Sequence, residues 1–193
     1  QPRYHATFVL QWNGLMIYND PAPSATYVGL PKADLILVSH AHSDHFSTAH
    51  IDAVRAADCV IVVPQAVYNS LTVAQKTNAI VLANGASTNV LGLTVTAVPA
   101  YNGNHPVGTG NGYVLDLGGK RIYASGDTGD QLEIRAQGAE SLAGGHAGRQ
   151  HAQAVERGHG LADMREGPFA KLKAPQVAQR HHPQSYLREC GRG

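Results

Sequence analysis

Apolar and polar residues alternate near the start of the chain, in two short segments that are separated by a turn signal. The segments are residues 5–12 and 15–18, and Asn13-Gly14 lies between them. Alternation with a period of two is typical of a half-buried strand, and Asn-Gly favours the positive φ angles of a two-residue hairpin turn. The pattern therefore predicts a β-hairpin over residues 5–18.

A second pattern, continuous apolar runs of strand length, follows the Pro-rich loop at residues 20–23. The runs at 34–39 and 59–63 are typical of strands that are covered on both faces. Residues 48–57 are predicted to form a helix capped by Ser47 or Thr48, and Pro64 opens a second short helix. Further strands are predicted at 80–82, 88–91, 93–98, 112–117 and 120–124, with turns at Asn84-Gly85, Gly92 and Gly118-Gly119. Strands that alternate with helices predict an α/β fold.

The hydrophobic pattern changes after residue 135. From Ala136 to Gly193 no more than two apolar residues are consecutive, so no buried strand is predicted there. We therefore divide the chain into residues 1–135 and an atypical segment, 136–193, that is helical or irregular. A change of reading frame near codon 136 is an alternative hypothesis for this segment. On that hypothesis a homodimer is expected to cover the exposed sheet.

Composition and charge disfavour some classes of function but do not identify one. The chain has 193 residues, 43% of them hydrophobic and 15% charged, and a formal net charge of +1. This composition is typical of a globular protein, and the small net charge gives no long-range electrostatic field to attract nucleic acid. The expected partner is therefore a small-molecule substrate. No run approaches the roughly 18 apolar residues of a membrane span. The expected protein is soluble, and a cytoplasmic or a periplasmic location after signal removal both stay open.

The clearest chemical signal is the segment Ser39-His40-Ala41-His42-Ser43-Asp44-His45, directly after a predicted buried strand. In extended backbone, residues two apart point to the same side, so the first two histidines can bind one metal ion. A following turn can present the aspartate and the third histidine to a second ion. The alternative is a polar surface loop or helix cap that contains histidine by chance, but the density of ligands favours a metal site.

The H-x-H-x-D-H spacing resembles the signature motif of the metallo-β-lactamase superfamily. Segments 104–108, 112–115 and 120–128 resemble its branch of lactonase-like metal-dependent hydrolases, and the likeness covers about residues 5–135. The resemblance implies an αβ/βα sandwich whose N-terminal, metal-binding half is residues 1–135. The C-terminal half of that sandwich is incomplete or atypical here.

The resemblance also implies a ligand set. By this resemblance the ligands of the first ion are His40, His42 and His105. The ligands of the second ion are Asp44 and His45, and Asp127 bridges the two ions. A late histidine completes the second site in the superfamily. Of the histidines that compete for this role, His181 is chosen because residues 173–177 resemble the expected approach; the others are His146, His151, His159 and His182. Two zinc ions are expected, with manganese or iron as alternatives, since imidazole and carboxylate suit these metals.

Several of these residues carry little signal by themselves. Taken alone, Asp127 could be a turn or helix-capping residue and His105 a solvated loop histidine. His5 and His50 have no ligand spacing around them, and we expect them to be surface or satisfied histidines on a strand and a helix. The glycines of 108–112 do not have the spacing of a dinucleotide-binding turn and predict a loop or strand entry.

The expected chemistry is hydrolysis. Two cations about 3.5 to 4 Å apart can lower the pKa of a bridging water from 15.7 toward about 7, which makes hydroxide available as the nucleophile at neutral pH. The expected substrate is a small ester, lactone, β-lactam or phosphoester, with Asp44 and Asp127 as the catalytic carboxylates. The alternatives are an iron-dependent oxidoreductase on the same ligands and a metal-binding half-domain with weak catalysis.

Overall fold

The structure, a computed structural model, describes residues 1–129 and 140–141. In this part of the chain the strands are β1 (Pro2–Tyr4), β2 (Thr7–Trp12), β3 (Leu15–Asn19), β4 (Ala33–Leu37), β5 (Arg55–Val63), β6 (Ala79–Val81), β7 (Ser87–Val90), β8 (Leu93–Asn102), β9 (His105–Leu117), β10 (Lys120–Ala124) and β11 (Glu140–Ser141). The helices are α1 (Thr48–Val54), α2 (Gln65–Ser70) and α3 (Val73–Lys76). None of these helices is long and apolar enough to cross a membrane.

The predicted hairpin is present at the start of the first sheet. Strands β2 and β3 pair antiparallel with Trp12 opposite Leu15, and Asn13 and Gly14 have φ angles of 46° and 84°. The predicted strand over residues 5–12 is too long at its beginning, because residues 5 and 6 form a turn between β1 and β2. Strand β1, which the sequence pattern did not predict, adds an edge to the sheet.

The rest of the first sheet is parallel, and helices join β4 to β5 and β5 to β6, as expected of parallel neighbours. The sheet order is β1-β2-β3-β4-β5-β6, and the pairs from β3 to β6 are parallel. Ser47 caps α1 by accepting a hydrogen bond from the backbone N–H of His50. The helix ends at Val54 rather than at residue 57, because Arg55 takes an extended conformation (φ −70°, ψ 145°) and begins β5.

The second sheet has the order β11-β10-β9-β8-β7. Strands β8 and β9 form a longer hairpin than predicted, since Ala100 pairs with Gly110 and Asn102 with His105. The segment predicted as a loop, residues 100–106, is therefore strand apart from the turn at residues 103 and 104, and His105 begins β9 instead of lying in a loop. The strand entry predicted as an alternative for residues 108–112 is part of β9. Strand β11, in the segment without a predicted buried strand, pairs parallel with β10.

Two layers of apolar side chains explain why the strands of the first sheet are covered on both faces. One layer packs between the two sheets and includes Leu35, Leu37 and Leu115. The other packs between the first sheet and the helices and includes Ile36 and Ile51. The described part is thus a helix–sheet–sheet sandwich of mixed α/β class. The second helix layer that the resemblance implies, and the division at residue 135, fall largely outside the described residues and stay predictions.

Candidate metal centre

Three histidines from the two sheets form what we call the first ligand set: His40, His42 and His105. The first two follow β4, while His105 begins β9, and one ring nitrogen of each lies within 4.8 Å of the others. The closest pair is His42 Nδ1 and His105 Nε2, 3.0 Å apart. The backbone N–H of Asn111 in β9 donates to the carbonyl of Ser39, which joins the two sheets next to this set.

The ring of His105 is oriented by the end of β8. Its Nδ1–H donates to Asn102 Oδ1 at 2.8 Å, and the same oxygen accepts from the backbone N–H of His105 at 3.1 Å. Since an amide oxygen only accepts, Nδ1 carries the proton and Nε2 keeps its lone pair. That lone pair faces the other two histidines and is available to a metal ion.

His40 and His45 are oriented by a buried carboxylate that the sequence analysis missed, Asp20. His45 Nδ1–H donates to Asp20 Oδ2 at 2.8 Å, and both side chains are fully buried. Asp20 also accepts from the backbone N–H of Ser39 at 2.6 Å and from its hydroxyl at 2.7 Å. The Ser39 hydroxyl oxygen in turn accepts from Nδ1 of His40 at 2.9 Å. Both rings therefore turn Nε2 inward, which is the arrangement of metal-ligating histidines whose other nitrogen is hydrogen-bonded.

Asp127 lies between the histidines. One or other of its carboxylate oxygens is 3.2 Å from Nε2 of His45, 3.7 Å from Nε2 of His105 and 3.9 Å from Nε2 of His40. Glycine at position 126 permits this approach: its φ is 60°, and an added Cβ would lie only 2.9 Å from the Cβ of Ser39.

Asp44 and His5 complete a second group around His45. Asp44 is half-exposed, and its Oδ2 is 3.9 Å from Nε2 of His45 and 3.3 Å from Nε2 of His5. Ligand atoms of His5, His45 and Asp127 lie within 4.8 Å of one another. We call His45, Asp44 and Asp127 the second ligand set. The approach of His5 to this set was not anticipated, because nothing near His5 in the sequence has ligand spacing.

The electrostatics of the two sets differ. Burial, together with the neighbouring His45, lowers the pKa of His40 to about 4, so this imidazole is neutral at physiological pH. Burial alone would lower the pKa of His45, but the carboxylates of Asp127 and Asp20 outweigh burial and raise the pKa to about 10. Burial would raise the pKa of Asp127, yet His45 and the other histidines hold it below its usual range.

Three inward-facing atoms have no hydrogen-bond partner: His40 Nε2, His45 Nε2 and Asp127 Oδ1. The last two are 3.2 Å apart, but their angles are not those of a hydrogen bond. Buried polar atoms without partners cost free energy, so three of them that face one another indicate a site that an ion or another ligand would satisfy. The donor set of imidazole nitrogens and a carboxylate fits a divalent transition metal such as zinc.

The structure thus brings together six of the seven predicted site residues: His40, His42, Asp44, His45, His105 and Asp127. The seventh, His181, lies outside the described residues, and its role stays a prediction. His50 is on α1, where its Nδ1 lies 2.9 Å from the hydroxyl of Ser47, as expected of a structural histidine. Neither Asp20 nor Asn102 was predicted as a site residue; the available signal for Asp20 was an Asp-Pro pair two residues after the end of a predicted strand.

A cleft with a volume of about 180 Å³ opens over the first ligand set. Its lining residues are His40, Ala41, His42, Ala66, Asn104, His105, Pro106 and Thr109. Apart from the histidines, this lining is small and uncharged, so the cleft suits a compact and largely apolar group.

The fold and these ligands correspond to a known family. A family model described as a beta-lactamase superfamily domain matches residues 3–142. The chain therefore belongs to the beta-lactamase superfamily, which confirms the resemblance drawn from the sequence.

Individual relatives support the same assignment. A UPF0173 metal-dependent hydrolase of Thermococcus kodakarensis is 32% identical over 133 residues, which cover 64% of this chain and 58% of the relative. Another from Thermus thermophilus is 36% identical over 126 residues, covering 62% of this chain and 54% of the relative. The chain thus spans a little over half the length of these relatives.

Solved structures agree on the fold. A protein of Parabacteroides distasonis that is assigned as a metal-dependent hydrolase superimposes with a TM-score of 0.62 and 34% identity, covering 68% of this chain and 61% of that one. A metallo hydrolase of the archaeon Ignicoccus hospitalis gives a TM-score of 0.58 at 23% identity, covering 72% and 65%. At this lower identity the second likeness concerns the fold alone.

Proposed function

We propose that the protein is a metal-dependent hydrolase that uses two divalent cations, with zinc as the expected metal. The observation that carries the proposal is the convergence of unpartnered atoms from two separate loops, one after β4 and one after β10. His40 Nε2, His45 Nε2 and Asp127 Oδ1 face one another without hydrogen-bond partners, although burial makes such atoms costly. Cations at this centre would satisfy all three. The similarity to relatives named metal-dependent hydrolases supports the same activity.

The outer contacts of the ligands also support metal binding. Three of the histidines, His40, His45 and His105, use Nδ1 for an oxygen partner and keep Nε2 for the centre. Such outer partners fix the tautomer and the ring orientation of a ligating histidine and raise its basicity. A loop that contained histidines by chance would have no reason to satisfy the same nitrogen in three rings.

When bound, the cations would supply a water of lowered pKa and a Lewis acid that polarises the substrate oxygen. Asp127 is placed to serve both ligand sets, because its two oxygens approach histidines of each set. Its negative charge would offset the charge of the cations. Asp44 is half-exposed at the opening of the second set, so its Oδ2 could accept a proton from the solvent side if the second position were empty.

The lining of the cleft supports a small substrate. It is short and largely apolar and contains no lysine or arginine, so a small ester, lactone, β-lactam or phosphoester is favoured over a nucleic acid. The lactonase-like branch of the superfamily supplies the first substrates to test. Fold alone does not choose among them, since one fold serves many chemistries.

The test combines metal analysis with hydrolysis assays on the full chain. Purified wild type, His42→Ala and His50→Ala would be analysed for zinc, manganese and iron by mass spectrometry and assayed on an ester, a lactone, a β-lactam and a phosphodiester. We expect about two zinc ions per chain in wild type and in His50→Ala, and about one in His42→Ala with little activity.

His50→Ala is the matched control, because it removes a histidine of α1 that lies outside both ligand sets. Activity retained in His42→Ala, or a wild type that binds no divalent cation, would contradict the proposal. Stoichiometric iron with no hydrolysis would favour the oxidoreductase alternative instead.

A further inference from the structure

A fifth histidine of the centre comes from an unexpected place, the turn between β1 and β2. His5 is largely buried, with 16% of its side chain exposed, and its Nε2 lies 3.3 Å from Asp44 Oδ2. Its ring centroid is 4.9 Å from that of His45. The N-terminal turn therefore delivers an imidazole to the second ligand set.

The backbone at His5 is adapted to this placement. Its φ angle is 51°, in the left-handed region that costs free energy for residues other than glycine. Residues held in such conformations cluster at functional sites, where the surrounding structure maintains them. The next residue, Ala6, is completely buried, and its carbonyl accepts a hydrogen bond from Asn19, which anchors the turn on β3.

The distances in space between His5 and its neighbours are close to those between ligands of one metal ion. One ligand atom each from His5, His45 and Asp127 lie within 4.8 Å of one another, the same limit that the three histidines of the first set meet. Two ligands at about 2.1 Å from a shared zinc ion are at most about 4.2 Å apart, so a small closing movement would suffice.

We propose that His5 is a direct ligand of the second cation, beside Asp44, His45 and Asp127. This inference rests on the proposed metal-dependent function. It gives each cation four protein groups within residues 1–129, with Asp127 shared between the two positions. Catalytic zinc keeps a position for water beside its protein ligands and can become five-coordinate, so each cation would hold its four protein groups and a water. The second position would then have four protein groups without His181.

The test is a titration of the metal-stripped full chain with cobalt(II), followed by visible and near-ultraviolet absorption. Wild type is expected to bind two equivalents. In His5→Ala the first equivalent should bind as in wild type, while the second should weaken by at least about 100-fold, because even outer partners of metal ligands are worth 10–100-fold. The unchanged first equivalent, with an unchanged circular dichroism spectrum, reports that the variant is folded.

A second variant separates coordination from a mere hydrogen bond to Asp44. In His5→Cys a thiolate that contacts the metal gives a sulfur-to-cobalt charge-transfer band in the near ultraviolet, which a hydrogen-bonding role would not produce. The matched control is His50→Cys, at a half-buried position of α1 that lies outside both ligand sets. We expect the band with the second equivalent in His5→Cys, and no band beyond the wild-type spectrum in His50→Cys.

The possible outcomes distinguish this inference from the proposed function. If wild type binds two equivalents, His5→Ala binds both equally well and His5→Cys shows no new band, the role of His5 is overturned and the metal centre stands. If wild type binds no cobalt, both are overturned. A weakened second equivalent together with the new band supports both.

Discussion

The two ligand sets of the centre are adjacent but are built on different principles. The first set consists of three imidazoles, and it includes His40, whose pKa is lowered to about 4 by burial and by the nearby His45. The second contains the carboxylates of Asp44 and Asp127 around His45, whose pKa is raised to about 10 because Asp127 and Asp20 outweigh the effect of burial. Without metal, the first set is thus neutral at His40, whereas the second already holds a positive charge on His45.

This difference arises because the two ligand sets are oriented by different residues of the fold. His45 is fixed to the first sheet through fully buried Asp20, so its environment attracts a cation even before a metal ion arrives. His105 is instead oriented by the neutral amide of Asn102 in the second sheet. We therefore expect the two positions to differ in their response to mutation and to pH, although they share Asp127.

The largest expected effect is that of Asp127→Ala, which removes the group common to both sets. Both cations should bind poorly, and hydrolysis should fall by at least about 1,000-fold, because the cations stabilise charge in the transition state by several kcal/mol and about 1.4 kcal/mol is tenfold in rate. Cobalt titration and rates with the best substrate measure this. One equivalent that still binds with wild-type affinity would show that Asp127 is not shared.

A smaller and more selective effect is expected for Asp20→Asn. The amide keeps the shape of the buried side chain but loses the charge that holds the Nδ1 proton of His45. The second equivalent of cobalt should weaken by about 10- to 100-fold, the usual effect of losing an outer partner, while the first equivalent changes less. Asp58→Asn, at an exposed position of β5, is the control. Equal losses at both positions would contradict the division between the sets.

The local parts of this arrangement could be predicted from the sequence. The hairpin follows from Asn13-Gly14, because the turn conformation depends on two adjacent residues. The residues from His40 to His45 stand together in the sequence, so their density alone points to metal. The apolar run of β4 predicts the buried strand that ends next to them.

The parts that depend on distant contacts could not be predicted. Asp20 meets His45 across 25 residues of sequence, and His5 meets Asp44 only because the first two strands fold back on β3. The extension of β8 and β9 through residues 99–111 arises from pairing in a segment rich in Gly, Asn and Pro, residues that are depleted in strands. Cross-strand pairing here overrides the local preference for a loop.

The smallest expected effect, about tenfold per pH unit, is a difference in pH dependence between the two positions. A cation at the second position must displace the proton of His45, whose pKa in the metal-free protein is about 10. Below that value, affinity there should fall about tenfold for each unit by which the pH decreases, since proton and metal compete for one lone pair. His40, with a pKa of about 4, adds no such dependence to the first position.

Cobalt titrations between about pH 6.5 and 8.5 would measure the two slopes, and calorimetry in buffers of different ionisation enthalpy would count the protons released. Binding of the second equivalent of cobalt should release at least one proton more from the protein than binding of the first. Asp20→Asn should reduce this excess, because the loss of the buried carboxylate removes part of what raises the pKa of His45. Parallel slopes in wild type would mean that the charge on His45 does not distinguish the two positions.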